Sequence, residues 1–225
     1  MLQLVIGNKN YSSWSMRPWV LMKARGIAFT ERKLRFDFSP GSAFYQALAP
    51  LTPTAKVPVL VLEDGFAVWD TLAIVETLAE RDVGIWPADA RQRARARSLV
   101  AEMHSGFSAL RNHCPMNIEA TLPEVGAKVW AEQAAVRKDV ARIEQAWGEA
   151  LAGSGGPFLF GGFGAADAFF APVCMRLATY ALPVSDTTRA YVERVKASPA
   201  VAAWIADALA ERDFIAEDEP YRAPR

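Results

Sequence analysis

Three serines and a tryptophan form a short polar loop near the start of the chain, at residues 12–15 (SSWS). The loop leads into a predicted helix, and a helix N-terminus stabilises an anion through its free N–H groups and partial positive charge. A hydroxyl there can donate a hydrogen bond to a thiolate and lower the thiol pKa from about 8.5 towards neutrality. Serine before a helix is also an ordinary N-cap, so both interpretations stay open.

Val57 and Pro58 begin an apolar run at residues 57–62 that predicts a strand. Proline inside a sheet cannot donate to the hydrogen-bond ladder. The Val57–Pro58 bond is therefore either cis, which exposes the backbone of Val57 to an extended peptide ligand, or a trans bond on an edge strand.

Asp70 and Thr71 precede another predicted helix. The Thr71 hydroxyl and the free N–H groups of the helix suit a carboxylate, and the Asp70 carboxylate suits an ammonium group. The pair can thus hold the zwitterionic end of an amino acid. A capping role without any ligand is the alternative.

The first elements that must position these groups are a strand and a helix. Residues 2–6 predict a short buried strand. Ser13 or Ser15 is expected to cap the helix that follows. Pro18 is tolerated in its first turn, and Gly26 ends it.

A hairpin follows a second strand. Residues 28–36 alternate partially and predict that strand, which a Ser-Pro-Gly sequence at residues 39–41 ends. Asp-Gly at residues 64–65 lies between two apolar runs, so residues 57–62 and 66–69 predict an antiparallel pair.

The remainder of the chain predicts helices. Residues 82–89 are polar and predict a linker, which gives a first domain at residues 1–81 and a second at residues 90–225. Apolar residues recur at helical spacing over residues 99–110 and again over 129–151. A final predicted element, at residues 165–180, is almost wholly apolar and is expected to be a central buried helix.

Composition excludes several functional classes. Of the 225 residues, 25 are basic and 25 acidic, so no net charge attracts nucleic acid or anionic lipid. Two cysteines and two histidines are too few for a disulfide framework or a zinc centre. No apolar stretch approaches about 18 residues and no basic leader is visible, so we expect a cytoplasmic protein without a membrane association.

Four motifs together resemble those of one family. They are SSWSMRPW at residues 12–19, KVPVL at 56–60, WDTLAIVE at 69–76 and GFGAADAFF at 162–170. Their order and spacing are similar to the glutathione transferases, closest to the serine-type zeta class, which includes maleylacetoacetate isomerase. The resemblance implies a thioredoxin-like α/β N-terminal domain followed by an all-α helical-bundle domain.

The resemblance implies roles at the sulfur and cysteinyl positions of glutathione. Ser12 would hydrogen-bond and activate the sulfur, with Ser13 as assistant or competing candidate. Val57, before a cis Pro58, would pair through its backbone with the cysteinyl unit.

The two ends of the tripeptide have further candidates. Asp70 and Thr71 would hold the γ-glutamyl end, and Lys56 could approach the glycine carboxylate. Asp70 stands where the family more often has Glu or Gln, which shortens the side chain by one methylene.

Residues facing the second substrate follow less directly. Arg17 and Asn112 fall where zeta-like members have residues facing the active site, and His104 is a further candidate for which a packing role stays open. Trp14 stands where zeta members usually carry a cysteine, which removes a polarizable group and adds an aromatic wall.

The implied activity is addition of the glutathione thiol to an electrophilic small molecule, in a homodimer. Glutathione is then a co-substrate, and no metal or redox cofactor is expected. Glutathione-dependent cis-trans isomerisation, peroxide reduction and a non-catalytic binding module remain alternatives. No motif reports the identity of the electrophile.

Overall fold

The computed structural model describes residues 1–223. Four strands form one sheet: β1 (Leu2–Ile6), β2 (Phe29–Lys33), β3 (Val59–Val61) and β4 (Ala67–Trp69). Three helices are interspersed with them or follow directly: α1 (Ser13–Ala24), α2 (Ala43–Leu48) and α3 (Thr71–Ala79). The later helices are α4 (Ala90–Ser105), α5 (Ser108–His113), α6 (Pro123–Glu132), α7 (Ala134–Ser154), α8 (Ala165–Thr179), α9 (Asp186–Ala197) and α10 (Pro199–Glu211), followed by a 3₁₀ turn at Ala216–Asp218.

The sheet has the strand order β2-β1-β3-β4. β1 is parallel to β2 and antiparallel to β3, and β3 is antiparallel to β4. Leu60 lies opposite Leu4 on one side and opposite Val68 on the other. The predicted hairpin is confirmed, and Gly65 adopts the positive φ of +89° that its turn requires.

Successive side chains of the central strands enter two different cores, as the strand period of two dictates. Leu4 and Leu60 are buried in the main core, which α1, α3 and the later helices share. Val5 and Val59 point to the opposite face. There they pack with Phe44 of α2, so the sheet is covered on both sides.

The short helix α2 is absent from the sequence-based prediction. Ser42 caps it, with its Oγ 3.5 Å from the backbone nitrogen of Tyr45. A six-residue helix is too short to repeat an apolar pattern, so only its two buried residues, Phe44 and Leu48, mark it.

The helical half departs from the prediction at two breaks. Helix α4 ends at Ser105, with extended Gly106 as its C-cap, and α5 begins after Phe107, whose φ is +55°. The apolar pattern of residues 99–110 therefore belongs to two helices. Gln133 similarly separates α6 from α7 within residues 129–151. Within the described residues 1–223, no helix has both the length and the apolar character needed to cross a membrane.

Helix α8 lies at the centre of the molecule, as predicted, and contacts α1, α4 and α9. Its Asp167 accepts the N–H of Gly164 at 3.0 Å, which closes the N-terminus of the helix. The other Asp167 oxygen accepts the N–H of Leu159 at 3.1 Å and the hydroxyl of Tyr191 at 2.7 Å. Burial raises the pKa of Asp167, and these donors counteract that rise.

Candidate active site

Ser12 is the N-cap of α1. Its hydroxyl donates to Oγ of Ser15 at 2.7 Å, and its oxygen accepts the backbone N–H of Ser15 at 3.4 Å. Oγ of Ser15 also accepts the N–H of Gly7 at 3.2 Å. The expectation that Ser13 or Ser15 caps α1 is therefore wrong, because the side chain that reaches the N3 amide is that of Ser12.

Ser13, the first residue of α1, has a partner from the far end of the chain. Nη2 of Arg176, on α8, donates to Oγ of Ser13 at 3.3 Å. Through Nη1 the same guanidinium donates to the carbonyl oxygens of Arg111 and Cys114 at the end of α5. Arg176 thus joins the serine loop to two helices of the second half of the chain.

Both serines open into a cleft of about 550 Å³. The sequence-predicted residues that line it are Ser12, Ser13, Trp14, Lys56, Val57 and Asn112. Four aromatic side chains form an apolar part of the wall: Phe36, Phe38, Phe44 and Tyr45. The polar or charged lining residues that sequence reasoning did not select are Tyr11, Thr54, Arg111, Arg176 and Asp218.

The Val57–Pro58 peptide bond is cis, which decides between the two possibilities that the sequence left open. Pro58 is buried and does not line the cleft, whereas Val57 does. Strand β3 begins immediately afterwards at Val59, between β1 and β4. The side chain of Lys56 is exposed at the same rim.

Asp70 and Thr71 lie at the N-terminus of α3 and outside the lining of the cleft. Asp70 caps the helix by accepting the N–H of Leu72 at 2.8 Å, and its second oxygen is 3.4 Å from Nε2 of His104. Thr71 donates to the carbonyl oxygen of Trp14 at 3.5 Å. The two helix N-termini are therefore in direct contact.

Trp14 lies between the cleft and two further side chains, the buried Arg17 and the half-buried His104. The ring centroids of Trp14 and His104 are 5.2 Å apart, and Cζ of Arg17 lies 4.2 Å from the Trp14 centroid. Arg17 also lies 5.0 Å from the ring of Phe169 on α8. Neither Arg17 nor His104 lines the cleft.

Burial is the largest cause of the pKa shifts of Arg17 and His104. It lowers the pKa of Arg17, and the neighbouring charges of Arg111 and Arg176 lower it further. Burial also lowers the pKa of His104, which the carboxylate of Asp70 counteracts.

Positive charge dominates the cleft. Among residues 1–223, three cations line it, namely Lys56, Arg111 and Arg176, against the single carboxyl group of Asp218. Burial, with repulsion from Glu217 and Glu219, raises the pKa of Asp218 to about 6. The arrangement suits an anionic ligand, and a thiolate beside the serine hydroxyls would be stabilised.

A C-terminal strap, defined as residues 213–222, closes one side of this region. The Tyr11 hydroxyl donates to Glu219 at 2.7 Å, and Asn117 donates to the other oxygen of Glu219 at 2.8 Å. Asn8 donates to the carboxylate of Asp213 at 3.0 Å. The strap therefore holds the loop that precedes the serines.

Among the site residues that sequence reasoning missed, Arg176 is the one that a sequence pattern marks. It is the only cation in the otherwise apolar α8 sequence, AADAFFAPVCMRLAT. A cation in a helix buried on all sides needs a polar partner. That partner, Ser13, is 163 positions away, so its identity required the fold.

Comparison with known proteins assigns the family. A family model described as "Glutathione S-transferase, N-terminal domain" matches residues 11–81, and one described as "Glutathione S-transferase, C-terminal domain" matches residues 128–207. Together they match more than half of the chain. The chain belongs to the glutathione S-transferase family, as the four sequence motifs indicate.

Individual relatives agree with this assignment. A curated protein of Caenorhabditis elegans named "Probable maleylacetoacetate isomerase" is 40% identical over 67 residues, which cover 29% of this chain and 31% of that protein. The match thus spans about a third of the curated relative's length.

Two solved structures have the same fold over nearly the full length. A glutathione transferase homologue from Burkholderia gl BGR1, with bound glutathione, is 24% identical with a TM-score of 0.67, covering 92% of this chain and 97% of that one. A tau class glutathione S-transferase from mango, Mangifera indica, is 20% identical with a TM-score of 0.68, covering 93% and 96%. The predicted fold class, a thioredoxin-like domain followed by a helical domain, is confirmed.

Proposed function

We propose that this chain is a glutathione transferase, which binds glutathione beside α1, holds its sulfur as a thiolate and adds that sulfur to an electrophilic small molecule. One observation carries the proposal: Ser12, Ser13 and Val57 line the same cleft. A tripeptide paired with Val57 would bring its sulfur towards the N-terminus of α1. Family membership and the glutathione bound to the Burkholderia homologue support the same ligand.

The cleft favours the reactive form of the thiol. The N–H groups of α1, a serine hydroxyl and the cations Arg111 and Arg176 all stabilise the thiolate over the thiol. The thiol proton passes to water, and the sulfur lone pair forms a C–S bond. In a substitution the leaving group departs with the bonding electrons, and in an addition the product takes a proton from water. This chemistry uses glutathione as co-substrate and needs no metal or redox cofactor.

The remaining site residues have proposed roles of two kinds. Lys56 binds the glycine carboxylate, and Asp70 with Thr71 binds the γ-glutamyl end. Trp14 and Asn112 contact the electrophile, because they face the cleft from α1 and α5.

The proposed organisation is a glutathione-binding domain at residues 1–81, a linker at 82–89 and a helical domain at 90–225, in a cytoplasmic homodimer. Exposed Phe66 and Trp69, 65% and 41% accessible, support the dimer because both border one apolar groove at β4 and α3. Light scattering should give twice the monomer mass, and Phe66→Ser should halve it. Two free, buried cysteines are consistent with a reducing compartment.

Calorimetric titration with glutathione, followed by turnover of a chloronitroaromatic substrate, tests the activity. We expect millimolar or tighter binding and glutathione-dependent product formation. Absence of binding heat at millimolar glutathione would reject the proposal, and binding without turnover of any electrophile would favour the non-catalytic module.

Isomerisation is the second candidate, because the Caenorhabditis elegans relative carries the name of an isomerase. A cis-dienoate analogue of maleylacetoacetate distinguishes it from net transfer, since isomerisation regenerates glutathione whereas transfer consumes it. A hydroperoxide assay distinguishes peroxidase activity, in which two glutathione molecules are oxidised to the disulfide.

A further inference from the structure

Arg176 is buried without a neutralising partner. Its residue is 5% exposed, and among the described residues no carboxylate forms an ion pair with it. Its Nε has no hydrogen-bond partner within residues 1–223. An uncompensated buried charge costs several kcal/mol. Leucine or methionine at position 176 would pack better in the apolar surroundings of α8. The presence of a charge there therefore indicates a function.

The hydrogen bonds of Arg176 fix the direction in which Ser13 can donate. A guanidinium only donates hydrogen bonds, so Oγ of Ser13 is the acceptor in the 3.3 Å contact. No acceptor for the Ser13 hydroxyl proton exists among residues 1–223, and Ser13 faces the cleft. The Ser13 proton is therefore available to a ligand.

Ser12 differs in this respect. Its hydroxyl proton is donated to Ser15 at 2.7 Å, and Ser15 in turn accepts the N–H of Gly7. A sulfur atom that took the Ser12 proton would break this bond within the helix cap. Ser12 is thus committed to the structure of α1, whereas Ser13 is not.

We propose that Ser13 donates the hydrogen bond to the glutathione sulfur, and that Arg176 is the positioning residue that turns the Ser13 hydroxyl towards the sulfur while adding positive potential. The inference rests on the proposed glutathione transferase function. It assigns the sulfur contact to the second serine of the loop, and it gives the central helix of the other half of the chain a role in thiol activation.

The other charged and titratable groups around this pair do not neutralise Arg176. The cations near it are Arg17 of α1, Arg111 of α5 and Lys56 across the cleft. In the part of the chain that the structure describes, Asp218 is the one carboxyl group lining the cleft. Burial raises the pKa of the nearby Cys114 thiol to about 12 and that of the Tyr180 phenol above its usual range. Both therefore stay uncharged, and the potential at Ser13 is positive at neutral pH.

A purely structural role for Arg176 is the competing explanation, because Nη1 also holds the carbonyl oxygens of α5. The two roles predict different readouts. A structural role lowers the melting temperature without a specific effect on the sulfur. The positioning role raises the pKa of the bound thiol and does so through Ser13.

The experiment measures the pKa of enzyme-bound glutathione from the ultraviolet absorbance of its thiolate, in the parent and in Ser13→Ala, Arg176→Gln and the double variant. We expect Ser13→Ala and Arg176→Gln each to raise the thiol pKa by about one unit, a tenfold loss of thiolate at neutral pH. In the double variant the shift should be smaller than the two single shifts added together, because the residues act as a pair. Arg189→Gln, which removes an exposed arginine from α9, is the matched control and should leave the pKa unchanged.

Arg176→Lys keeps the charge and serves if Arg176→Gln does not fold. A lysine side chain makes fewer hydrogen bonds than arginine, so the pKa of the bound thiol in Arg176→Lys should lie between the values in the parent and in Ser13→Ala. A larger pKa shift in Ser12→Ala than in Ser13→Ala would overturn the assignment, as would additive shifts in the double variant or a parent-like pKa in a folded Arg176 variant. Failure of the parent to bind glutathione would instead reject the proposed function, so the two failures are distinguishable.

Discussion

The hydroxyl of Thr71 donates to the carbonyl oxygen of Trp14 at 3.5 Å, and this hydrogen bond joins the N-terminus of α3 to that of α1. The acceptor is available because of Pro18. That residue lies four positions after Trp14, inside α1, and has no N–H to complete the helical hydrogen bond. Pro18 was expected in the first turn, but it lies in the second, and its missing donor leaves a carbonyl group that α3 uses.

Thr71→Val should destabilise the protein by about 1 kcal/mol, because the Trp14 carbonyl oxygen then loses its donor. Urea unfolding measures the change. Adding Pro18→Ala restores an N–H at position 18, so the loss from Thr71→Val should shrink in that background. Thr77→Val is the matched control on the same helix: its hydroxyl bonds the Ala73 carbonyl, which the Thr77 backbone N–H can also reach. Equal losses at Thr71 and Thr77 in the parent would contradict the explanation.

Ser12→Ala should lower the free energy of unfolding by about 1 kcal/mol, because it removes the cap of α1. Ser185→Ala removes an equivalent cap from α9, where Oγ of Ser185 accepts the Thr188 N–H at 3.3 Å. Both variants should unfold at lower urea concentration. Only Ser12→Ala should also weaken glutathione binding in a calorimetric titration, since Ser12 lines the cleft. A parent-like dissociation constant in Ser12→Ala would contradict this prediction.

Stability should fall as the pH drops below 6.5, partly through His104. The pKa of His104 in the folded protein lies below its ordinary value of 6.5, with burial as the largest cause. The unfolded chain therefore binds more protons in the window just below 6.5, and the free energy of unfolding decreases there, whereas above 6.5 the contribution is constant. His104→Gln should flatten the dependence in urea titrations at several pH values. His113→Gln is the control for the other histidine. If the free energy of unfolding of His104→Gln varied with pH as steeply as that of the parent, the prediction would be refuted.

Asp218→Asn should stabilise the protein at pH 7. The folded-state pKa of Asp218 is raised from 3.8 to about 6, so ionisation opposes folding as the pH rises through that window. We expect a gain of about 1 kcal/mol at neutral pH, after allowance for solvent screening, and none near pH 4. Above pH 6, Asp218→Asn should also bind glutathione, an anion, more tightly than the parent does, because the variant lacks the negative charge of Asp218. Glu132→Gln, a change at an exposed carboxylate of α6, is the control. A stability gain in Asp218→Asn that does not depend on pH would contradict the assignment.

The sequence predicted those parts of the fold that local chemistry determines. Gly26 ends α1 with a φ of +65°, and the Asp-Gly turn at residues 64–65 connects β3 to β4. The breaks at residues 106–107 and at Gln133 were missed. Gly106, the C-cap of α4, is a terminator by type that the apolar spacing of residues 99–110 outweighed, whereas Gln133 has no such preference.

The residues of the candidate site likewise fall into those that local sequence predicts and those that only the fold reveals. The serine loop and the segment around Val57 were recognised, because each lies within a short motif next to an element boundary. Arg111, Arg176 and Asp218 were missed, because they reach the cleft from α5, α8 and the strap. Only the packing of α8 against α1 brings the Arg176 charge to Ser13.

The strap has a consequence for biosynthesis. Tyr11 and Glu219, which hydrogen-bond at 2.7 Å, are 208 positions apart in the chain. While a nascent polypeptide is still on the ribosome, the polar segment ahead of the first helix emerges early and lacks this anchor until translation reaches Glu219. A premature stop before that codon would release a polypeptide with most of its secondary structure encoded but without the contact that anchors the loop of its serine-lined cleft.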